Sequence, residues 1–214
     1  IAWPNPLTIV LAVLLIAGRQ LGLGIIVHDC AHHALFASRT LNERVGQWLA
    51  GNPMNTSLAK YRSYHLKHHR FAGTPQDPDI IFVHAYPITR DSLKRKFARD
   101  LTGRTGFRDL MRELRQFRFA AQWPWLAFHV GLFTALTLAG GWWAYGLWWV
   151  AQLFVYPAIV RLRQIGEHGV AAERSDLDPR RNTSTTVARW WERLFVAPNH
   201  VHYHLAVSYT HLTL

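Results

Sequence analysis

Two long stretches without charge constrain this chain more than anything else in it. From Pro6 to Val27 the sequence is apolar apart from Thr8, Arg19 and Gln20, about the length that crosses a bilayer as a helix. From Ala120 to Val160 it is again almost uncharged, roughly twice that length, with Gly140-Gly141 near the middle. That pattern predicts a hairpin of two spans turning at the glycines. No basic stretch precedes the first run and no small-residue cleavage site closes it, so it reads as a retained span and not a cleaved signal peptide. The opening residues read as the middle of a longer chain, a fragment that has lost an earlier span. Half the residues are apolar and ten are Trp, which fits helices meeting lipid. The expected fold class is all-α: an integral membrane helical protein with transmembrane helices and a cytoplasmic, His-rich metal-binding cap.

The net charge of +11 raises the question of nucleic acid, since Lys and Arg are what neutralise phosphates. Their location argues otherwise. Ten Lys and Arg lie between Arg90 and Arg118, directly before the second apolar stretch, as the bias of basic residues toward cytoplasmic loops produces. They alternate with Leu and Phe at helical spacing, which predicts either a membrane-surface helix or a solvated helical face. No nucleic-acid partner is expected. Cys30 is the only cysteine, so any metal here is held by nitrogen and oxygen. Residues 41–60, interrupted by Asn52-Pro53 and Asn55-Thr56-Ser57, are too short and broken to span and read as an interfacial or re-entrant helix.

Most of the thirteen histidines fall in tight groups. His28 and His32 stand four apart. His65, His68 and His69 share one and a half turns, so on a helix they point into one small volume. His200, His202 and His204 form a third group, and His168 follows Glu167 just after the hairpin. Because the hairpin leaves and returns, all of them are expected on one side of the membrane. The core metal candidates are His28, His32, His65, His68, His69, His168 and His204, with His33, His200 and His202 in reserve. A single ion takes three or four protein ligands, so seven imply two ions. Imidazole suits Zn, Cu, Fe and Ni. Beside spans that can shelter an acyl chain, two irons that activate dioxygen have a use that zinc lacks. Reduced iron then needs an outside electron donor. The acids of Asp77-Pro78-Asp79 read either as hydrogen-bond acceptors for ligating imidazoles or as a solvated turn, and Arg19 as a residue of a tilted helix packed on its neighbours.

His28-Asp29-Cys30-Ala31-His32 and His65-Leu66-Lys67-His68-His69 resemble the first two histidine boxes of the membrane fatty acid desaturase family, and Asn199 to His204 resembles the start of the third. The order of spans and boxes is similar as well, over about residues 10 to 205. Tyr61 to His65 and Asp77-Pro78-Asp79 are similar to bacterial members that act on acyl lipids. The resemblance implies a di-iron enzyme, with dioxygen as co-substrate and a ferredoxin or cytochrome as electron donor. It sits in the bilayer, in a bacterial inner membrane with the histidines cytoplasmic. His28, His32, His65, His68, His69 and His204 match family ligands, and His168 matches the additional ligand between the hairpin and the third box. No catalytic residue beyond the ligands is implied, and His33, at a position that is glycine in many relatives, ranks below its neighbours. Asp29 and Glu167 are expected to back the ligands.

The implied reaction is desaturation of a fatty acyl chain. Hydroxylation or ketolation of a lipid or carotenoid by the same irons is the nearest alternative, and membrane metal transport is the alternative of another class. After Leu205 the sequence departs from the family, which carries a further His-His pair there. Residues 1–205 are therefore read as a desaturase-like fragment and 206–214 as a foreign tail; with that tail in place the chain is two ligands short, and the fragment is expected to be inactive.

Overall fold

The structure is a computed structural model that describes residues 4–83, 85–169, 178, 181, 183–201 and 203. Among the described residues all regular structure is helical. The first helix, α1 (Pro6–Ala31), begins with Pro6 in its first turn, where a missing N–H costs nothing. Asn5 and Thr8 cap it reciprocally, each side chain accepting the other's backbone N–H at 3.0 Å. Its 26 residues extend about 39 Å at 1.5 Å each.

Val13, Ala17, Leu21 and Ile25, four apart, form the buried stripe of α1. On the other side Leu7, Val10, Leu11 and Leu15 remain exposed. The two polar exceptions in the helix are used on neighbouring backbone. Arg19 Nη2 donates to the carbonyl of Leu194 at 2.7 Å, and Gln20 Nε2 to that of Trp148 at 3.0 Å. A packed helix, as the sequence predicts for Arg19, accounts for both.

Next comes α2 (Arg39–Arg44), capped by Ser38 and continued by a π-helical turn, Val45–Gly51, and a 3-10 turn, Asn52–Met54. The π turn lies against the end of α1. A Cβ on Gly46 would stand 2.6 Å from Cys30 Cβ, so only glycine allows this approach. Helix α3 (Leu58–Phe71) starts at the Ser57 cap and completes a second small core of Val27, Cys30, Ala31, Ala50 and Leu58. A single turn, α4 (Ile80–Val83), follows.

The basic stretch forms two helices, α5 (Arg90–Leu101) and α6 (Arg104–Arg115), and not one. The break falls at Gly103, whose φ of +79° is a left-handed conformation that interrupts the helix. Asp100, fully buried, accepts from Arg161 Nη2 at 2.9 Å and anchors α5 to a later helix. After α7 (Phe119–Leu138) the chain turns at Gly140 (φ +74°) into a continuous helical run, α8 (Trp142–Gly169).

Helices α1 and α8 are long and apolar enough to cross a membrane. The hairpin forms where Gly140-Gly141 predicts it, but α7 falls short of the same standard because Gln122, Pro124 and His129 dilute its apolar residues. A short α9 (Trp190–Phe195) and a 3-10 turn, Pro198–His200, close the described chain. Ala188, Ala197 and Val201 from this region pack on α1 and on Ala151 and Ile159 of α8.

Candidate metal centre

The last two turns of α1 and the second half of α3 bring the first two histidine groups together. His28 and His32, four apart, lie on one face at the C-terminal end of α1. His65, His68 and His69 form the buried face of α3, while Leu66 and Lys67 point outward. Arg62, one turn before His65, sets the two helices against each other. Its Nε donates to the carbonyl of Ala31 at 2.8 Å and its Nη2 to that of Cys30 at 3.1 Å, and Nη2 also reaches Glu43 at 2.6 Å. Both carbonyls belong to the last turn of α1, where the regular helical partners run out, and that of Cys30 also accepts from the His33 N–H at 3.1 Å.

One ligand nitrogen from each of His28, His32, His65 and His69 lies within 4.8 Å of the others. His65 Nε2 is 3.1 Å from His32 Nε2 and 2.8 Å from His69 Nε2. A ring nitrogen carries one proton or one in-plane lone pair, and so makes one hydrogen bond. Two nitrogens this close to a single imidazole nitrogen are also the arrangement that a cation shared between the rings would produce. Ligands about 2 Å from one ion stand roughly 3 Å apart, and the observed separations fit that spacing.

A second contact extends the cluster. His68 Nε2 lies 3.2 Å from His168 Nε2, and its ring is 6.0 Å from that of His65 and 5.6 Å from that of His69. His168 sits in the π-helical end of α8, Ile165–Gly169, a distortion that often marks functional sites. Ser184 spans that bulge, with its N–H donating to the Glu167 carbonyl at 2.9 Å and its hydroxyl to the Gly166 carbonyl.

Carboxylates back the rings. His28 Nδ1 donates to Asp29 at 2.9 Å and His68 Nδ1 to Asp77 at 2.7 Å. Each contact holds the proton on Nδ1 and leaves the Nε2 lone pair for a metal. Asp77 is buried and accepts from the backbone N–H groups of Gly73 and Asp79 as well, so the acid loop is part of the centre and not a solvated turn. Asp79 in turn lies 3.7 Å from His68 Nδ1 and accepts from the Tyr64 hydroxyl. Glu167 accepts from Arg163 Nε at 2.6 Å.

The electrostatics favour neutral donors. Burial, followed by the neighbouring imidazoles, holds His65 well below its usual range and His69 down at about 2. At His68 burial works in the same direction, but the Asp77 hydrogen bond and the charges of Asp79, Asp77 and Glu167 outweigh it and raise the group. Asp77 is lowered, because its bond to His68 and two backbone donors overcome the effect of burial. Neutral imidazoles such as those of His65 and His69 in a buried site suit a borderline transition metal such as iron.

Comparison with known proteins decides the family. The sequence profile of the family described as Fatty acid desaturase matches residues 4–206. The chain belongs to the fatty acid desaturase family. A dihydrorhizobitoxine desaturase from Bradyrhizobium elkanii is 42% identical over 77 residues, 35% of this chain and 22% of that protein. A beta-carotene ketolase from Paracoccus sp. (strain PC1) is 39% identical over 82 residues, 36% of this chain and 33% of that protein. The chain thus spans no more than a third of the length of these relatives. Their names, a desaturase and a ketolase, describe oxidative enzymes. No solved structure matches it.

Within this desaturase-family chain, two of the reserve histidines lie apart from the four-histidine group. His33 follows the end of α1 in a left-handed conformation (φ 56°), which turns its Nδ1 to within 3.9 Å of Glu43. His200 is exposed, also left-handed (φ 59°), and its ring faces Tyr203. His202, His204 and the proposed tail 206–214 lie outside the described residues. Spacing alone passed over Arg62, and also Tyr61, whose ring stacks on His65 at 5.2 Å and 14°. The signal available was proximity to the second box, with Arg62 three and Tyr61 four residues ahead of His65 and so on the same helical surface.

Proposed function

We propose that the chain carries the centre of a membrane-bound, dioxygen-dependent fatty acyl desaturase, with two iron ions held by His28, His32, His65, His68, His69, His168 and His204. The convergence of the His32, His65 and His69 nitrogens on one point, with His68 and His168 paired beside them, carries this reading. An iron pair bound there supplies the oxidation: one dioxygen, two electrons and two protons take two hydrogens from adjacent methylenes, leaving a double bond and two waters.

The chain's own groups prepare the site for that chemistry. Asp29 and Asp77 keep protons on Nδ1 of His28 and His68 and orient the rings. Burial of His28, His65, His68 and His168 excludes bulk water, which protects a reactive centre from side reactions. Helices α1 and α8 act as spans in a bacterial inner membrane. The basic faces of α5 and α6 lie at the cytoplasmic surface, where a ferredoxin- or cytochrome-type donor delivers electrons.

The similarity to a beta-carotene ketolase favours one second reading, oxygenation of a carotenoid by the same centre. Membranes containing the complete protein, with the third histidine box uninterrupted, supplied with a reductant, dioxygen and either defined acyl lipids or beta-carotene, separate the two by product analysis. The expected result is an unsaturated acyl product that disappears in His65→Ala and His68→Ala. Retention of full activity in either variant would overturn the assignment.

A further inference from the structure

The turn that leads into the third histidine group is seated on α1 at two glycines. A Cβ on Gly18 would stand 2.6 Å from the Leu194 carbonyl oxygen and 3.1 Å from Phe195 Cα, so the end of α9 rests directly on the backbone of α1. One turn on, the nearest neighbours of a Cβ on Gly22 would be Asn199 and Pro198, both at 3.7 Å. Glycines four apart in an apolar helix ordinarily let a second helix approach closely. Here they receive a later part of the same chain. We propose that Asn199 is a positioning residue, which fixes the third histidine group on α1 so that His204 meets its iron, a proposal that rests on the di-iron reading above.

Asn199 and His200 both take left-handed conformations, with φ of 53° and 59°. A residue other than glycine is uncommon there, and Asn is among those that tolerate it best. Such backbone persists where the surroundings over-determine it, and it clusters at functional sites. The surroundings do so here. Pro198 before the pair and Val201 after it are buried, and Ala197 and Val201 join Leu21 and Ile25 of α1 in one core.

Side-chain hydrogen bonds hold the turn in place. Asn199 Nδ2 donates to the Gly22 carbonyl at 3.1 Å, a contact between residues 177 apart in the chain. A carbonyl oxygen has two lone pairs, so it can take this amide beside its helical partner. One turn back, Arg19 Nη2 donates to the Leu194 carbonyl at 2.7 Å. The stretch 194–199 is thus tied to adjacent turns of the helix that ends in His28 and His32. Gly22 lies six residues before His28, about 9 Å along the helix. Asn199 lies five residues before His204, a reach of at most about 17 Å. A chain hooked at Gly22 therefore keeps His204 in range of the first histidine group, and the two left-handed residues set the direction in which it leaves.

The test uses the complete protein, with the third histidine box uninterrupted, titrated with ferrous iron alone. Asn199→Gly accepts the left-handed backbone and removes the amide. Asn199→Asp keeps much of the left-handed tolerance and sets an acceptor against the Gly22 carbonyl. Both are expected to weaken the binding of one iron about tenfold or more, the scale for groups that orient metal ligands from behind, while the other iron stays bound. Mössbauer spectra of isotopically enriched protein read this as the loss of one of two iron populations. Gly18→Ala, which leaves Asn199 intact but displaces the Leu194 carbonyl, gives the same selective loss. Arg19→Lys, which keeps a donor, retains both irons where Arg19→Ala does not. Unchanged iron affinity in both Asn199 variants overturns the proposal. So does a parallel loss of both irons that follows the denaturant midpoint, the mark of a merely structural role. Either result leaves the di-iron reading standing. A parent that holds no iron after reconstitution sinks that reading, and this proposal with it.

Discussion

Arg62 donates to the backbone carbonyl of Ala31 at 2.8 Å, so the helix that carries the second histidine group ties down the open end of the helix that carries the first. The same guanidinium reaches Cys30 and Glu43. The distances between His32, His65 and His69 depend on that clamp. Arg62→Ala is expected to cost about 2 kcal/mol, the usual scale for hydrogen bonds to a charged group, and to lower iron content. Arg62→Lys keeps the charge without the planar fork and recovers only part of the loss. Denaturant midpoints and metal analysis on the purified chain check both.

Asp77 is the buried acceptor that fixes the His68 ring. Groups that orient metal ligands from behind typically contribute ten- to hundredfold in affinity. Asp77→Ala is therefore expected to weaken iron binding by about that factor while leaving the helical content unchanged, as read by iron titration and circular dichroism. Tyr64→Phe, which removes only the hydroxyl on Asp79, has a smaller effect in the same assay.

Gly46 and Gly131 make a matched pair. A Cβ on Gly46 meets Cys30 Cβ at 2.6 Å and Leu58 at 3.0 Å, whereas a Cβ on Gly131 meets nothing within 4 Å. Gly46→Ala must push α1 away from the π turn and is expected to destabilise by about 1 to 3 kcal/mol. Gly131→Ala in the middle of α7 is expected to be neutral or to stabilise by up to about 1 kcal/mol. Thermal denaturation in detergent measures both.

Acid acts on the metal-free site in a definite direction. The unfolded chain protonates His65 and His69 near 6.5, while the folded chain holds them far lower, His69 at about 2. Below pH 6.5 the unfolded state thus binds more protons, and stability falls as pH falls. His68, raised in the folded chain, opposes this with the reverse sign. His33 and His129, also lowered by burial, act in the same sense as His65 and His69, so the net effect between about pH 7.5 and 5.5 is a loss of stability. Denaturant midpoints of the metal-free protein at the two pH values should show it, and bound metal should reduce it.

The sequence carried the shared faces of the first two histidine groups and the turn at Gly140-Gly141, because those features are local: spacing of three and four along a helix, and a glycine pair whose first member takes a positive φ. It also carried the meeting of His68 and His168, since a helical hairpin returns the chain to its starting side. Asp77 was ambiguous in one dimension. A Pro- and Asp-rich loop reads as solvated until the fold buries it against His68. Tyr61 and Arg62 stood out as part of the approach to the second box, but their roles did not, as their partners lie 31 residues away at Ala31 or on the next turn at His65. The split of the basic stretch at Gly103 depended on packing, for α6 must approach α8 closely enough that Gly106 would place a Cβ 2.3 Å from the Leu153 carbonyl.

Iron content of the purified full chain, compared with that of His65→Ala, tests the centre most directly, because His65 contacts both His32 and His69. Two iron atoms per chain in the parent, falling by at least one in the variant, is the predicted result. Equal iron in the two proteins, or a parent that binds none after reconstitution with ferrous iron, would contradict the account.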